Sequence, residues 1–157
     1  MLPIAEKLNR RPYKHKDGKV VEEYQFGKYM DDQIEGFLET MPMLPHCKYE
    51  TSFVYLKGNS ELDWHTDKGT KCAIIWGLKN WKTSCTYFNP KGHTGGNRHD
   101  YTRKYVYRDY LMDTTTEHKV KMSGGEKIIW KISIKDRSFE WLIMNWEKAF
   151  KKIKWQQ

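Results

Sequence analysis

At 157 residues the chain is long enough for one domain with its own core and no disulfide staples. A hydrophobic fraction of 38% with 15% aromatic residues, among them 7 Trp and 10 Tyr, excludes a disordered chain. The formal charge of +8 would suit a nucleic-acid partner, but the lysines are spread along the chain. The one dense cluster is Lys148, Lys151, Lys152 and Lys154, so the excess reads as solvated surface and nucleic acid is not the favoured partner.

The three cysteines, Cys47, Cys72 and Cys85, are scattered and odd in number, which fits a reducing compartment. No Cys-x-x-Cys pair marks a zinc site. The first residues lack the apolar run of a signal peptide, and no segment is long enough to span a bilayer. The expectation is a cytoplasmic protein with no membrane partner. Nothing in the sequence fixes an oligomeric state.

In chain order, residues 1–29 are polar and mixed, with a turn expected at Lys16-Asp17-Gly18-Lys19 and a strand from Val20 to Phe26. A packing helix follows, capped by Asp31 or Asp32, with Ile34, Phe37, Leu38 and Met41 at helical spacing. Met41-Pro42 and Leu44-Pro45 end it. From about residue 49 the texture turns to short strands: Thr51 to Leu56, Glu61 to Asp67, the apolar run Lys71 to Leu78, and Ser84 to Phe88. Close, even spacing with turn signals between them indicates a sandwich or barrel.

Residues 90–113 break that regularity, as an aromatic-rich lid or a pair of extra strands, with Tyr101, Tyr105, Tyr107 and Tyr110 as candidate channel or core residues. From Glu117 a hairpin is expected, turning at Ser123-Gly124-Gly125. Its return strand alternates, with Ile128, Trp130, Ile132 and Ile134 on one face and Lys127, Ile129, Lys131 and Ser133 on the other. Ser138 caps a last helix with apolar positions Phe139, Leu142, Ile143, Trp146, Phe150 and Ile153.

Chemistry concentrates in Leu62-Asp63-Trp64-His65-Thr66-Asp67. On an extended segment side chains alternate, so His65 and Asp67 project from one side and can reach one metal ion. A second histidine completes the 2-His-1-carboxylate set that holds iron(II) with open positions. His118 begins a strand able to close against that stretch and supplies it, whereas His93 and His99 sit in an irregular Gly-rich loop and read as surface residues. Lys127 shares a strand face with Lys131. A cation pointing into a metal-lined cavity is costly unless it meets an anion, and a dianionic cosubstrate that chelates iron at its other end would provide one.

On these residues the chain resembles the iron(II)- and 2-oxoglutarate-dependent oxygenases, particularly their prolyl-hydroxylase-like branch, from about Thr51 to Ile134. The resemblance implies a mainly β, α+β protein built on a double-stranded β-helix, a jelly-roll, cupin-like core. One oxygenase domain would cover 1–157, with an N-terminal strand and packing helix in 1–48, the core in 49–134 with an insert at 90–117, and a C-terminal helix in 138–154. His65, Asp67 and His118 match the family's iron ligands and catalytic centre. Lys127 matches the basic residue that grips the distal carboxylate of 2-oxoglutarate, and Tyr55 matches a tyrosine that bonds the same carboxylate. Lys131-Ile132-Ser133 mimics the basic-x-Ser pattern of related branches, which makes Lys131 with Ser133 the alternative anchor.

The resemblance further implies Fe(II), 2-oxoglutarate and O2 as cofactor and cosubstrates, with ascorbate supporting activity. The reaction would couple decarboxylation of 2-oxoglutarate to hydroxylation of a C–H bond, first of all in a prolyl or other side chain of a protein or peptide. The alternatives are the same chemistry on a nucleobase or small metabolite, and a non-catalytic cupin-like metal-binding module. The aspartyl/asparaginyl-hydroxylase branch uses similar His-Thr-Asp segments and stays open. Compact length and Lys/Tyr-rich composition are similar to phage or viral members, which would place the protein in a host cytoplasm.

Overall fold

A strand covered on both faces can be apolar at every position, whereas a half-covered one must alternate. Cys72, Ala73, Ile74 and Ile75 are buried in succession, so the strand they form lies between two layers. The computed structural model describes residues 9–14, 20–25, 32–57, 61–80, 82, 84–90, 92, 94, 103–105, 109–122 and 124–150. Its strands are β1 (Asn9–Lys14), β2 (Val20–Gln25), β3 (Tyr49–Lys57), β4 (Glu61–His65) and β5 (Cys72–Lys79), then β6 (Ser84–Asn89), β7 (Arg103–Tyr105), β8 (Asp109–Met112), β9 (Glu117–Met122) and β10 (Glu126–Ile134). Two α-helices, α1 (Asp32–Glu39) and α2 (Phe139–Ala149), and a short 3-10 turn at Leu44–His46 complete the described elements.

The strands form two antiparallel sheets, one in the order β1-β2-β3-β10-β5-β8 and one in the order β4-β9-β6-β7. From β3 to β10 the chain passes back and forth between them, so each sheet is closed by strands distant in sequence. This is a double-stranded β-helix, mainly β with flanking helices, as expected from the strand pattern and the resemblance.

The outer face of the six-stranded sheet is the helix side. Phe53, Ile74, Trp130, Ile132 and Ile134 are buried there with Leu38, Met41, Leu142 and Trp146 from the helical segments. Rings interlock across this layer: Trp76 stacks on Trp130 at 5.2 Å between centroids, and Phe37 lies 5.1 Å from Trp130. Burying one such side chain contributes about 1.5–3 kcal/mol. Ser138 caps α2, its hydroxyl accepting from the Trp141 amide at 3.1 Å. The other face of the same sheet looks into the barrel, where Ala73, Ile75 and Met112 pack with Tyr110, Phe88 and Ile129.

Three expectations change. β1 forms in the stretch read as polar and mixed: it pairs with β2 from Asn9↔Gln25 to Lys14↔Val20 at the sheet edge, where Pro12 is tolerated. Residues 90–113 yield strands, but β7 and β8 join different sheets. The expected hairpin from Glu117 does not form, because β9 pairs with β4 and β6 while β10 pairs with β3 and β5. The connection is tight enough to look like a hairpin in sequence, and Gly124 and Gly125, at φ 79° and 74°, let the chain step across to the other sheet. The expected turn at 16–19, the side chain of Ile34, and Ile153 fall outside the described residues.

Candidate metal centre

His65 ends β4 and His118 is the second residue of β9; the two are register partners across that ladder. Between Leu62↔Val120 and His65↔His118, β4 advances three residues while β9 advances two. The extra residue is a bulge, which re-aims the side chains beyond it. Without it His65 would face away from His118. With it the two imidazole rings sit 4.3 Å apart, centroid to centroid.

The pleat does not place Asp67, as the sequence reading assumed. β4 stops at His65, and Asp67 lies in the following loop. Its amide donates to the Thr114 carbonyl at 3.0 Å, and the fully buried Thr114 hydroxyl donates to the Thr70 carbonyl at 2.8 Å. The loop after β4 is thus fastened to the loop that leads into His118. Asp67 Oδ1 lies 3.5 Å from His65 Nε2 and 3.4 Å from His118 Nε2, and the three donor atoms are all within 4.8 Å of one another.

The orientation of the rings is also fixed. His65 Nδ1 contacts the Asp63 carbonyl at 2.6 Å and His118 Nδ1 contacts the Thr116 carbonyl at 2.8 Å. A carbonyl only accepts, so each Nδ1 carries a proton and each ring turns its Nε2 toward Asp67 Oδ1. Two ring nitrogens and a carboxylate oxygen that converge at this range can share one cation. Two ligands about 2.1 Å from one ion, at right angles or slightly wider, stand about 3.0–3.4 Å apart. The donor set therefore fits a divalent metal ion in both chemistry and spacing. Phe88 covers His118, whose exposure is 2%.

The second oxygen of Asp67 is engaged elsewhere: Lys131 Nζ lies 2.6 Å from Oδ2. Burial pushes the Asp67 carboxyl up, but the histidine ring nitrogens and the Lys131 ammonium outweigh it and hold the group well below the usual carboxylate range. Lys131, one of the two candidate cosubstrate anchors, is thus committed at the metal-donor end.

Lys127 is placed differently. It is buried at 6% exposure on the inner face of β10, and no hydrogen-bond or ion-pair partner meets it among the described residues. Its register partner on β3 is Leu56, which packs with Met122, Val54, Leu62 and Val120. In these apolar surroundings burial lowers its pKa from 10.5 to about 8. Four residue steps along the strand separate it from Lys131, a distance of about 13 Å. Ser133 is buried two positions beyond Lys131, about 20 Å from Lys127, so one carboxylate cannot meet both. Tyr55 pairs with Ile128 in the ladder, one step from the Lys127–Leu56 pair, and its side chain lies outside the described residues, as do His93 and His99. Tyr110 is core: its hydroxyl lies 3.1 Å from Thr86 Oγ1, inside the barrel.

Sequence reasoning missed Thr114, the Asp63 and Thr116 carbonyls and the Lys131–Asp67 pair. All are set by loops or by register between strands remote in sequence, which leave no local signal. Among the described residues no helix is long and apolar enough to cross a membrane.

The sequence matches no family model and no curated protein. Solved structures do resemble it. A prolyl-4-hydroxylase from Pseudomonas putida superposes with a TM-score of 0.65 at 10% identity, over 87% of this chain and 81% of that one. An oxidoreductase of the 2OG-Fe(II) oxygenase family from Burkholderia pseudomallei gives 0.63 at 9% identity, over 87% and 77%. A non-heme alpha-ketoglutarate-dependent epimerase from nogalamycin biosynthesis gives 0.61 at 13% identity, over 86% and 70%. At these identities the likeness is one of fold, the double-stranded β-helix that these three proteins share with this chain.

Proposed function

We propose that the protein is an iron(II)- and 2-oxoglutarate-dependent oxygenase that hydroxylates a C–H bond, with a prolyl or other side chain of a protein or peptide as substrate. The observation that carries this reading is the convergence of His65 Nε2, His118 Nε2 and Asp67 Oδ1, with both Nδ1 atoms already committed to backbone carbonyls. Such a set holds iron(II) on one side and leaves the other side open, the arrangement used by non-heme oxygenases. Fold likeness to a prolyl-4-hydroxylase supports the substrate class.

Lys127 supports the cosubstrate. A buried lysine with no partner among the described residues is costly, and a ligand carboxylate entering the barrel would relieve that cost. The span of about 13 Å from Lys127 to Lys131 along β10 is comparable with the combined length of a lysine side chain, about 6 Å, and a five-carbon dicarboxylate. Iron, when bound, supplies the activation of dioxygen and the oxidative decarboxylation of 2-oxoglutarate. The chain supplies the rest. His65, Asp67 and His118 hold the metal, Lys127 orients the distal carboxylate, and the apolar barrel wall of Ala73, Ile75, Met112 and Phe88 keeps water out.

The test has two stages. Anaerobic titration of the Fe(II)-loaded protein with 2-oxoglutarate should show saturable, metal-dependent binding. Incubation with lysate, iron, ascorbate and 2-oxoglutarate should then leave one added oxygen atom on a target polypeptide. Binding without any such product on protein, but with product on nucleotides or metabolites, would move the substrate class.

A further inference from the structure

The carboxylate of Asp67 is divided between two partners. Oδ1 faces the imidazole nitrogens at 3.4 and 3.5 Å, and Oδ2 is held by the Lys131 ammonium at 2.6 Å. The backbones at both ends of the Lys131–Asp67 contact are held in place. Lys131 sits in mid-β10 between Ser52 on β3 and Ile75 on β5, both buried, and the Asp67 backbone is fixed to Thr114. A carboxylate with both oxygens free can chelate a metal ion through both. One whose second oxygen already accepts a short charge-assisted bond offers a single donor atom.

We propose that Lys131 is a positioning residue that restricts Asp67 to one-oxygen ligation. This inference rests on the oxygenase reading for its purpose but not for its geometry. Three protein donors leave three positions on a six-coordinate ion. A 2-oxo acid chelate takes two, and the third must stay open for dioxygen. A second oxygen from Asp67 would close it. The same ammonium also lowers affinity for the metal, since a cation beside the ligand repels a divalent ion. Lys131 therefore acts at the donor end of the site, and Lys127 remains as the carboxylate anchor.

Cobalt(II) is the probe, because its visible absorption reports coordination number and geometry without turnover. Lys131→Met, which keeps length but removes the donor and charge, should alter the cobalt spectrum of the protein and tighten cobalt binding about ten-fold. Fe(II)-loaded Lys131→Met should then keep the visible charge-transfer band that a chelated 2-oxo acid gives, but the band should no longer bleach in air. Lys131→Arg, which restores a cationic donor for Oδ2, should return the wild-type spectrum. Lys131→Gln keeps an N–H donor without charge, and it should keep the wild-type coordination while still gaining affinity. Lys131→Leu, which also removes both donor and charge, makes the same comparison if the methionine variant does not fold. A wild-type cobalt spectrum in both Lys131→Met and Lys131→Gln, with unchanged affinity, overturns the proposal. An unchanged spectrum with 2-oxoglutarate affinity lost ten-fold overturns it too, and makes Lys131 the cosubstrate anchor. If wild-type protein binds cobalt but no 2-oxoglutarate, the oxygenase reading fails, and the cobalt comparison still decides the role of Lys131.

Discussion

The amide of Asp67 donates to the carbonyl of Thr114 at 3.0 Å, so the loop carrying one candidate metal donor is tied to the loop that delivers His118. The Thr114 hydroxyl adds a second tie, to the Thr70 carbonyl. Thr114→Val removes that hydroxyl in a site with no solvent to replace it and should destabilise the fold by about 1–3 kcal/mol. Metal affinity per folded molecule should fall as well, because the donors no longer hold their spacing. Thr114→Ser should restore both. Thermal unfolding alongside cobalt titration checks this, and a stability loss with intact affinity would make Thr114 a purely structural residue.

Lys127 links function to stability with opposite signs. Its pKa in the fold is about 8, below the ordinary 10.5, so the unfolded chain binds more protons between those values. The fold carries the full penalty below pH 8 and sheds it as pH rises toward 10.5. That depression corresponds to about 3 kcal/mol. Lys127→Met should therefore be about 2–4 kcal/mol more stable than wild type at pH 7, with the gain vanishing by about pH 10.5. Denaturant unfolding across this range measures it.

The same variant should lose its cosubstrate. Charge-assisted bonds to a carboxylate contribute about 1.5–3 kcal/mol, so the apparent 2-oxoglutarate constant should rise roughly ten-fold to a hundred-fold. In wild type that constant should be flat below pH 8 and weaken by up to about ten-fold per unit above it, as the ammonium is lost. A pH-independent constant would mean that Lys127 does not meet the ligand.

Single substitutions of His65, Asp67 or His118 by Ala should each abolish metal binding, since each removes one of three donors. His93→Ala and His99→Ala should leave it unchanged. Equilibrium dialysis against Fe(II) or Co(II) distinguishes the two groups.

The helix-side layer should affect folding alone. Trp146→Ala, at 7% exposure, should cost about 3–5 kcal/mol. Phe37→Ala should cost less, because that ring is 36% exposed despite its contacts with Trp76 and Trp130. In both, metal affinity per folded molecule should match wild type.

Much of this architecture is legible in the residues. The alternation of Ile128, Trp130, Ile132 and Ile134 against Lys127, Ile129, Lys131 and Ser133 is the division between helix side and barrel interior. His65, Asp67 and His118 are visible because a His-x-Asp pair followed by a strand histidine makes up a 2-His-1-carboxylate set. What stays hidden depends on tertiary register. A hairpin and a crossing between sheets look alike over Met122 to Glu126, since both need a tight glycine turn. The bulge before His65 has no composition signature. Lys131 and Lys127 are indistinguishable by type and face, and only the approach of Asp67 from a distant loop separates them.

The central claim is that a His65–Asp67–His118 metal site works with Lys127 on 2-oxoglutarate, and succinate formation measures it most directly. With Fe(II), ascorbate and air, wild-type protein should convert 2-oxoglutarate to succinate even without substrate, at a slow uncoupled rate. Asp67→Ala should form none at any cosubstrate concentration, and Lys127→Met should recover activity only at ten-fold to a hundred-fold higher 2-oxoglutarate. Wild-type protein that binds iron through these three residues yet forms no succinate, and shows no metal-dependent binding of 2-oxoglutarate, would contradict the account.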